Sequence, residues 1–278
     1  MSESCSGNCS TCAENCGDRK EESLIAPLNE FSEVKKVIGV VSGKGGVGKS
    51  LVTSLLASAM QAKGYSCAVL DADITGPSVP KAFGIKGRAQ ADETGLLPME
   101  SGTGIKIMSV NLLLESEDSP VVWRGPVISG VIKQFWSDVA WGEVDWMFVD
   151  MPPGTGDVPL TVFQSLPLDG LIIVTTPQDL VTMIVKKAYN MAKLMDIPIL
   201  GLAENMSYVL CPDCGKKINI FGESKIDSVA AESGLPVLAK IPVDPKLASL
   251  VDRGAVELAG DEYVKDAVEA LERMIKND

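Results

Sequence analysis

The 278-residue chain contains no histidine. That removes a common general base and a common nitrogen ligand from its chemistry, so any soft-metal binding has to rest on thiolates. Positive charge is also short: 25 Lys and Arg stand against 37 Asp and Glu, a net charge of −12. Such a surface repels phosphate backbones and anionic headgroups, which argues against nucleic acid and against membrane as partners. No apolar run is long enough to span a bilayer. The first residues carry Ser, Cys, Asn and Glu where an export signal needs a basic and then an apolar stretch. The expectation is a cytoplasmic protein with reduced thiols, in which disulfides are disfavoured.

The most informative stretch that is present runs from Lys36 to Leu56, KVIGVVSGKGGVGKSLVTSLL. Val37, Ile38, Val40 and Val41 form a short β-branched run, the mark of a strand buried on both faces. The segment from Gly43 to Ser50 fits the phosphate-binding pattern G-x-x-x-x-G-K-[ST], and Leu51, Val52, Leu55, Leu56 and Ala59 continue at helical spacing. Strand, glycine loop and helix are the context the pattern needs. Glycines let successive N–H groups turn into one anion-sized nest, and the positive end of the helix adds to it. Gly43, Lys44, Gly45, Gly46, Val47, Gly48, Lys49, Ser50 and Leu51 are therefore the expected nucleotide cradle. Lys49 is expected on the β- and γ-phosphates of ATP, and the Ser50 hydroxyl on Mg²⁺.

Further apolar runs follow at Ser66–Leu70, Val144–Asp150, Gly170–Thr176, Ile199–Glu204 and Pro236–Ile241, with helical patterns such as 178–195 between them. This alternation predicts an α/β fold: a doubly wound, mostly parallel sheet with helices on both faces, preceded by a flexible Cys-rich tail. Hydrophobic content of 46% is ample for its core. The region 76–120 reads as loops with a minor hairpin over Leu96–Met99 and Ile105–Val110. All four tryptophans fall between Trp123 and Trp146, which predicts core packing. The end of the chain, 262–278, predicts a helix laid on the core by Tyr263, Val264, Ala267, Val268, Leu271 and Ile275. Carboxylates stand where such sheets place their ligands, at strand ends. Asp71 and Asp73 follow the second strand, with a turn-and-cap role as the alternative for both. Asp150 ends the Val144 run in the position of a carboxylate that holds the Mg²⁺ water shell. Asp157 either pairs with the neighbouring loop or caps a helix.

The cysteines divide into groups. Cys5, Cys9, Cys12 and Cys16 lie in a Ser/Asn/Gly/Glu-rich segment, 1–30, that is compositionally separate from a single domain over 31–278. Four thiolates so close together suit a 4Fe–4S cluster; a four-thiolate zinc site and an unmetallated tail are the alternatives. Cys211-Pro-Asp-Cys214-Gly is a tight turn aiming two thiolates at one point, within an insertion near 205–220. Two thiolates do not close a tetrahedral site. The pair is either a redox couple or half of a ligand set completed by Cys67, by the tail or by another subunit. Cys67 itself reads as a small core residue.

Together GKGGVGKS, DADITGPS, DMPPGTGD, ENMSY and CPDCG resemble the Mrp/ApbC-type iron–sulfur cluster carriers, a branch of the deviant-Walker P-loop ATPases, over residues 33–278. The resemblance implies an ATP-binding, slowly hydrolysing homodimer that holds a labile 4Fe–4S cluster at its interface. Such a dimer takes the cluster from a donor and passes it to apo iron–sulfur proteins. It further implies that Lys44 reaches the partner's nucleotide and that Asp73 orients or deprotonates the attacking water. Asp71 would support Mg²⁺ through the solvent shell, and Asn205 with Pro242–Asp244 would border the adenine. The alternative from another class is a ParA/Min-like positioning ATPase with structural zinc.

Overall fold

The computed structural model describes residues 24–74, 76, 78–114, 125–154, 156–178 and 181–276. Cys5, Cys9, Cys12, Cys16, Trp123 and Arg124 lie outside the described residues. In chain order the elements are β1 (Ser32–Ser42), α1 (Lys49–Ala62), β2 (Cys67–Asp71), α2 (Val79–Ala82), β3 (Ala91–Asp92), β4 (Gly95–Leu96), β5 (Met99–Glu100) and β6 (Lys106–Ser109). Then come α3 (Gly125–Ser137), β7 (Gly142–Asp150), α4 (Asp157–Ser165), β8 (Gly170–Thr175), α5 (Val181–Leu194) and β9 (Ile199–Glu204). The chain ends with β10 (Val209–Leu210), β11 (Lys217–Ile218), α6 (Ile226–Ser233), β12 (Val237–Lys240), α7 (Pro245–Asp252) and α8 (Lys265–Lys276).

Strand β1 shows how sequence pattern becomes position. Its first residues pair only with β7, and there the side chains alternate between half-buried and exposed. From Ile38 onward β8 pairs on the other edge, and every residue from Val37 to Ser42 is buried. A strand with neighbours on both edges and helices on both faces has no polar side to offer, hence Val37-Ile38-Gly39-Val40-Val41. The main sheet runs β12-β9-β8-β1-β7-β2-β6-β5. The chain lays β2 and β6 to one side of β1 and β8, β9 and β12 to the other, which opens a crevice at the carboxyl ends of the central strands.

Two cores form, one on each face. Ile38, Val40, Val69, Phe148 and Ile172 point toward α1, α2, α7 and α8. Val37, Val41, Leu70, Val149 and Ile173 point toward α3, α4, α5 and α6. Trp136, Trp141 and Trp146 are core residues, as their clustering predicts. Val264, Ala267, Val268 and Leu271 are buried beneath α8, while Ile275 is left at the rim, 37% exposed. The chain joins the body at Ala26, whose N–H donates to Ser165 O at 2.9 Å and whose carbonyl accepts the Trp136 indole N–H at 3.0 Å.

The minor hairpin read over Leu96–Met99 and Ile105–Val110 is present as β5–β6, with Met99 opposite Ile107, and it is part of the main sheet: β6 runs parallel to β2 and β5 forms the outer edge. A second short hairpin, β3–β4, lies just ahead of it. Two- and four-residue strands are too short to show a periodicity, and only the burial of Ile105, Ile107 and Met108 distinguishes sheet from loop. Among the described residues no helix is long and apolar enough to cross a membrane.

Leu55 on α1 is fully buried between helix and sheet. Leu55→Ala is expected to cost about 3 kcal/mol through lost transfer energy and a residual cavity. Urea unfolding of the two proteins measures it, and a loss below about 1 kcal/mol would contradict this packing.

Candidate functional site

The glycine loop leaves the carboxyl end of β1 and turns directly into α1. Gly48 stands at the helix cap with φ 84°, in the left-handed region, and no side chain caps the helix. The first turn of α1 contains no acidic residue, so its free N–H groups face outward as an anion site. A Cβ on Gly48 would come within 2.0 Å of Asn205 Nδ2, so this position requires glycine for space as well as for conformation. Asn205 is buried beneath the loop and donates from Nδ2 to the Val47 carbonyl at 3.0 Å. Ser42 Oγ donates to Lys44 O at 2.9 Å, tying the other limb of the loop to its strand.

The loop opens onto a cavity of about 460 Å³ lined by, among others, Gly46, Gly48, Lys49, Ser50, Asp73 and Pro153. On its floor Lys49 Nζ meets Asp150 Oδ1 at 2.6 Å and Asp73 Oδ2 at 3.4 Å. Lys49 is 5% exposed and Asp150 fully buried. The other oxygen of Asp150 accepts the Ser50 hydroxyl at 2.6 Å, and Thr53 Oγ1 donates to Oδ1 at 3.1 Å. Lys49, Ser50 and Thr53 share one face of the first turns of α1, so a single carboxylate on β7 receives all three. Asp71 is the register partner of Asp150 on the adjacent strand and accepts the Ser109 hydroxyl at 3.0 Å. The Asp73 N–H donates to Asp71 Oδ1 at 3.2 Å.

Three carboxylates thus converge on one ammonium. Burial, and then the neighbouring Asp150 charge, push the Asp71 carboxyl up to about 8, against the opposing pull of Lys49. Burial raises Asp150 as well, with Lys49 and Ser50 restraining it. The Ser50 hydroxyl and the Asp150 carboxylate, 2.6 Å apart at the mouth of the helix, are oxygen donors of the kind a hard divalent cation takes beside phosphate oxygens and water, so the residues present fit Mg²⁺. Pro153 lines the cavity, and the Gly154 N–H donates to Ser42 O at 2.9 Å, which places the Pro-Pro-Gly loop beside the nucleotide loop. The side chain of Asp157, at the start of α4, lies outside the described residues.

The remaining candidates are distributed around this centre. Lys44 Nζ bonds Gln178 Oε1, in the loop beyond β8. Asp244 caps α7, accepting the Lys246 N–H at 2.8 Å, and accepts the Tyr263 hydroxyl at 2.7 Å. Pro242 lies in the loop between β12 and that cap, whose backbone returns to the insertion through Val243 N–H to Tyr208 O at 2.8 Å.

Cys211 and Cys214 are on the turn of a separate two-stranded hairpin, β10–β11. The Cys211 N–H donates to Lys216 O and the Gly215 N–H to Cys211 O, both at 2.9 Å. The backbone N–H groups of Cys214 and Asp213, with the Cys214 thiol, hold the Cys211 thiol below the usual range. A thiol held low in this way is more readily a thiolate, the form that acts as nucleophile or soft ligand. Cys211 is half-buried and Cys214 exposed. Leu210, Ile218, Ile220 and Phe221 stand exposed around them. Cys67 is fully buried at the amino end of β2, where burial pushes its thiol far up, so it does not complete the pair. Among the described residues no group of three or more His, Cys, Asp or Glu could hold a metal.

Sequence reasoning passed over Thr53, Glu204, Ser207 and Ser224. Thr53 follows Lys49 at i+4, one helical turn on. Glu204 was the one charge in an apolar strand. The serines carried no signal, because their partner is remote or follows a loop.

Residues 33–277 match the ParA family described as the NUBPL iron-transfer P-loop NTPase. A Clostridium perfringens iron-sulfur cluster carrier protein is 42% identical over 94% of this chain and 95% of the relative. One from Methanococcus maripaludis is 41% identical over 99% and 100%. Among solved structures, a nucleotide-binding protein from Archaeoglobus fulgidus in complex with ADP is 43% identical, with TM-score 0.74, over 81% of this chain and 88% of that one. The cell division protein MinD of Aquifex aeolicus, 17% identical with TM-score 0.56 over 87% and 97%, shares the fold.

The Asp71 carboxyl makes stability depend on pH. A carboxyl raised in the folded state contributes stability that is complete below its ordinary 3.8 and is lost as pH climbs to about 8. The nucleotide-free protein is therefore expected to unfold at lower urea concentration as pH rises through that window. Asp71→Asn should remove most of the slope and stabilise the protein at the alkaline end. An unchanged slope in urea titrations of the variant would contradict the assignment.

Proposed function

This chain belongs to the NUBPL-type iron-transfer P-loop NTPase family, and on that premise we propose that two copies hold one labile 4Fe–4S cluster between them and pass it to apo-proteins, with slow ATP hydrolysis. The observation that carries the reading is the incomplete hairpin. Cys211 and Cys214 are accessible, one is favoured as thiolate, and the described residues supply no third ligand. A 4Fe–4S cluster takes four protein ligands. Two-fold symmetry makes each interface residue meet its mate, so two hairpins provide four thiolates. The exposed Leu210, Ile218, Ile220 and Phe221 form the apolar rim such a contact buries. A cluster held at a subunit boundary is exposed enough to leave. The ParA/Min-like alternative shares the fold and would use the thiolate pair as part of a structural zinc site, which two thiolates of one chain do not close. The cysteines at 5, 9, 12 and 16 provide the ligand count for a second centre within one chain.

ATP enters through the cavity over the glycine loop. Its phosphates take the N–H groups of Gly45 to Ser50 and draw Lys49 away from Asp150 and Asp73. Ser50 and Asp150, which share a hydrogen bond, would hold Mg²⁺, with Asp71 behind them. The ion supplies charge neutralisation on the phosphate oxygens. Asp73, released from Lys49, orients the attacking water. Lys44 exchanges Gln178 for the partner's nucleotide, so hydrolysis and dimer closure are one event.

Two measurements test this. Lys49→Ala removes a preorganised positive donor and is expected to lower ATP turnover by roughly 10²–10³, while leaving iron loading on the hairpin intact; unaltered turnover would sink the phosphate assignment. A chain with Ser at 5, 9, 12 and 16 is expected to reconstitute about four irons per dimer. Changing Cys214 to Ser in that background should abolish the centre and weaken the dimer. Iron content that survives loss of both Cys211 and Cys214 would refute the bridging cluster, and zinc in place of iron after anaerobic purification would favour a structural site.

A further inference from the structure

Glu204 ends β9 and is fully buried. Each of its carboxylate oxygens receives a serine hydroxyl, Oε2 from Ser207 at 2.5 Å and Oε1 from Ser224 at 2.6 Å. The two serines flank the Cys211–Cys214 hairpin. Ser207 stands before β10, and Ser224 stands after β11, where its oxygen also accepts the Ile226 N–H at the start of α6. A buried carboxylate is tolerated only when its oxygens are satisfied. The two legs of the hairpin therefore hold Glu204, and Glu204 holds them.

The residue after it, Asn205, is the one beneath the nucleotide loop, bonded to Val47 O and packed against the bare Cα of Gly48. The next, Met206, has φ 57°. A long side chain rarely takes that left-handed conformation, which persists where neighbours impose it. Here they are Thr175 O, which accepts the Asn205 N–H at 2.9 Å, and Ile241 O, which accepts the Ser207 N–H at 2.8 Å. Within three residues the chain grips the nucleotide loop, passes a strained turn and enters the hairpin. On the outgoing side a cavity of about 190 Å³, lined by Pro177, Gln178, Phe221, Glu223 and Lys225, lies between that leg and the loop that receives Lys44.

Resting on the reading that Cys211 and Cys214 hold the cluster, we infer that Glu204-Asn205-Met206 is the link through which nucleotide occupancy alters the grip on the cluster, with Glu204 as the positioning residue for both thiolates. Phosphate entering the nest shifts Val47 and Gly48, and Asn205 follows because it is bonded to one and in contact with the other. The strained turn at Met206 carries the shift into the Ser207–Glu204–Ser224 clasp. The two states are a clasped hairpin, with its cysteines held at ligand spacing, and an unclasped one that lets iron go.

The test uses the full chain carrying Cys5→Ser, Cys9→Ser, Cys12→Ser and Cys16→Ser, reconstituted anaerobically with iron and sulfide. The rate at which a ferrous chelator extracts iron is measured with and without saturating ADP or a non-hydrolysable ATP analogue, and a fluorescent analogue reports nucleotide occupancy. Nucleotide is expected to change the extraction rate of this parent protein. Glu204→Ala should speed nucleotide-free extraction by about 10- to 100-fold, the usual loss when a group behind a metal ligand is removed, and should bring the ratio with and without nucleotide to about one. Glu204→Gln, which still accepts one hydroxyl and offers an amide to the other, should retain most of that ratio. Ser224→Ala opens only the outgoing clasp at a half-buried site and should move both readouts in the same direction if Glu204→Ala does not fold. A parent whose rate ignores bound nucleotide, or a Ser224→Ala protein with the parent's ratio, overturns the link alone. Iron retained after Cys211 and Cys214 are both changed to Ser overturns the cluster site beneath it, and this inference with it.

Discussion

The ion pair between Lys49 and Asp150, 2.6 Å apart with both groups almost wholly out of water, is what the rest of the structure is arranged around. Removing two charges from water costs several kcal/mol per ion, and only good geometry with satisfied remaining positions offsets it. Here the geometry comes from the centre of the sheet. Asp150 ends β7, between β1 and β2, and α1 presents Lys49, Ser50 and Thr53 to it from one face. The same contact stitches the glycine loop to the sheet and loads the cavity with more carboxylate than ammonium. The imbalance has a chemical consequence: a triphosphate with its divalent cation brings both the anion that Lys49 and the helix end lack and the cation that the aspartates lack.

The fold separates precision from exposure. The nucleotide end is built on strand ends that are buried on both faces, where side chains have little freedom. The cysteine hairpin is a two-stranded outgrowth whose apolar residues, Leu210, Ile218, Ile220 and Phe221, are left in solvent. Short hairpins are marginal alone. This one is tied to the body at both legs by the buried Glu204, and its incoming leg by Val243 N–H to Tyr208 O. A thiol pair anchored so narrowly is well placed by its attachments and left accessible to solvent.

The legible parts of the chain were those whose information is local. The nucleotide loop is readable because its conformation demands glycine at fixed spacing and its chemistry demands Lys49 and Ser50 within the same turn. The long strands are readable because burial on both faces leaves an unbroken apolar run. The β5–β6 hairpin was legible as a hairpin and not as the edge of the main sheet, because strands of two and four residues carry too little pattern and β6 joins the sheet only by virtue of β2 beside it. Glu204 was visible as an oddity in ILGLAE without a meaning, since its partners stand three and twenty residues further along.

By itself the sequence determined the α/β class, the phosphate-binding loop, the carboxylate at the end of the Val144 strand and the pair of thiolates in a tight turn. Each rests on backbone conformation or on residue types within a few positions of one another, which propensity and spacing encode directly. Tertiary structure alone decided that Asp71 and Asp150 lie side by side and that Asn205 occupies the space a side chain on Gly48 would need. It also brought the legs of the cysteine hairpin together on one buried carboxylate. Those facts depend on which strands become neighbours and in what register, and that is settled by the packing of the whole chain on two faces of one sheet.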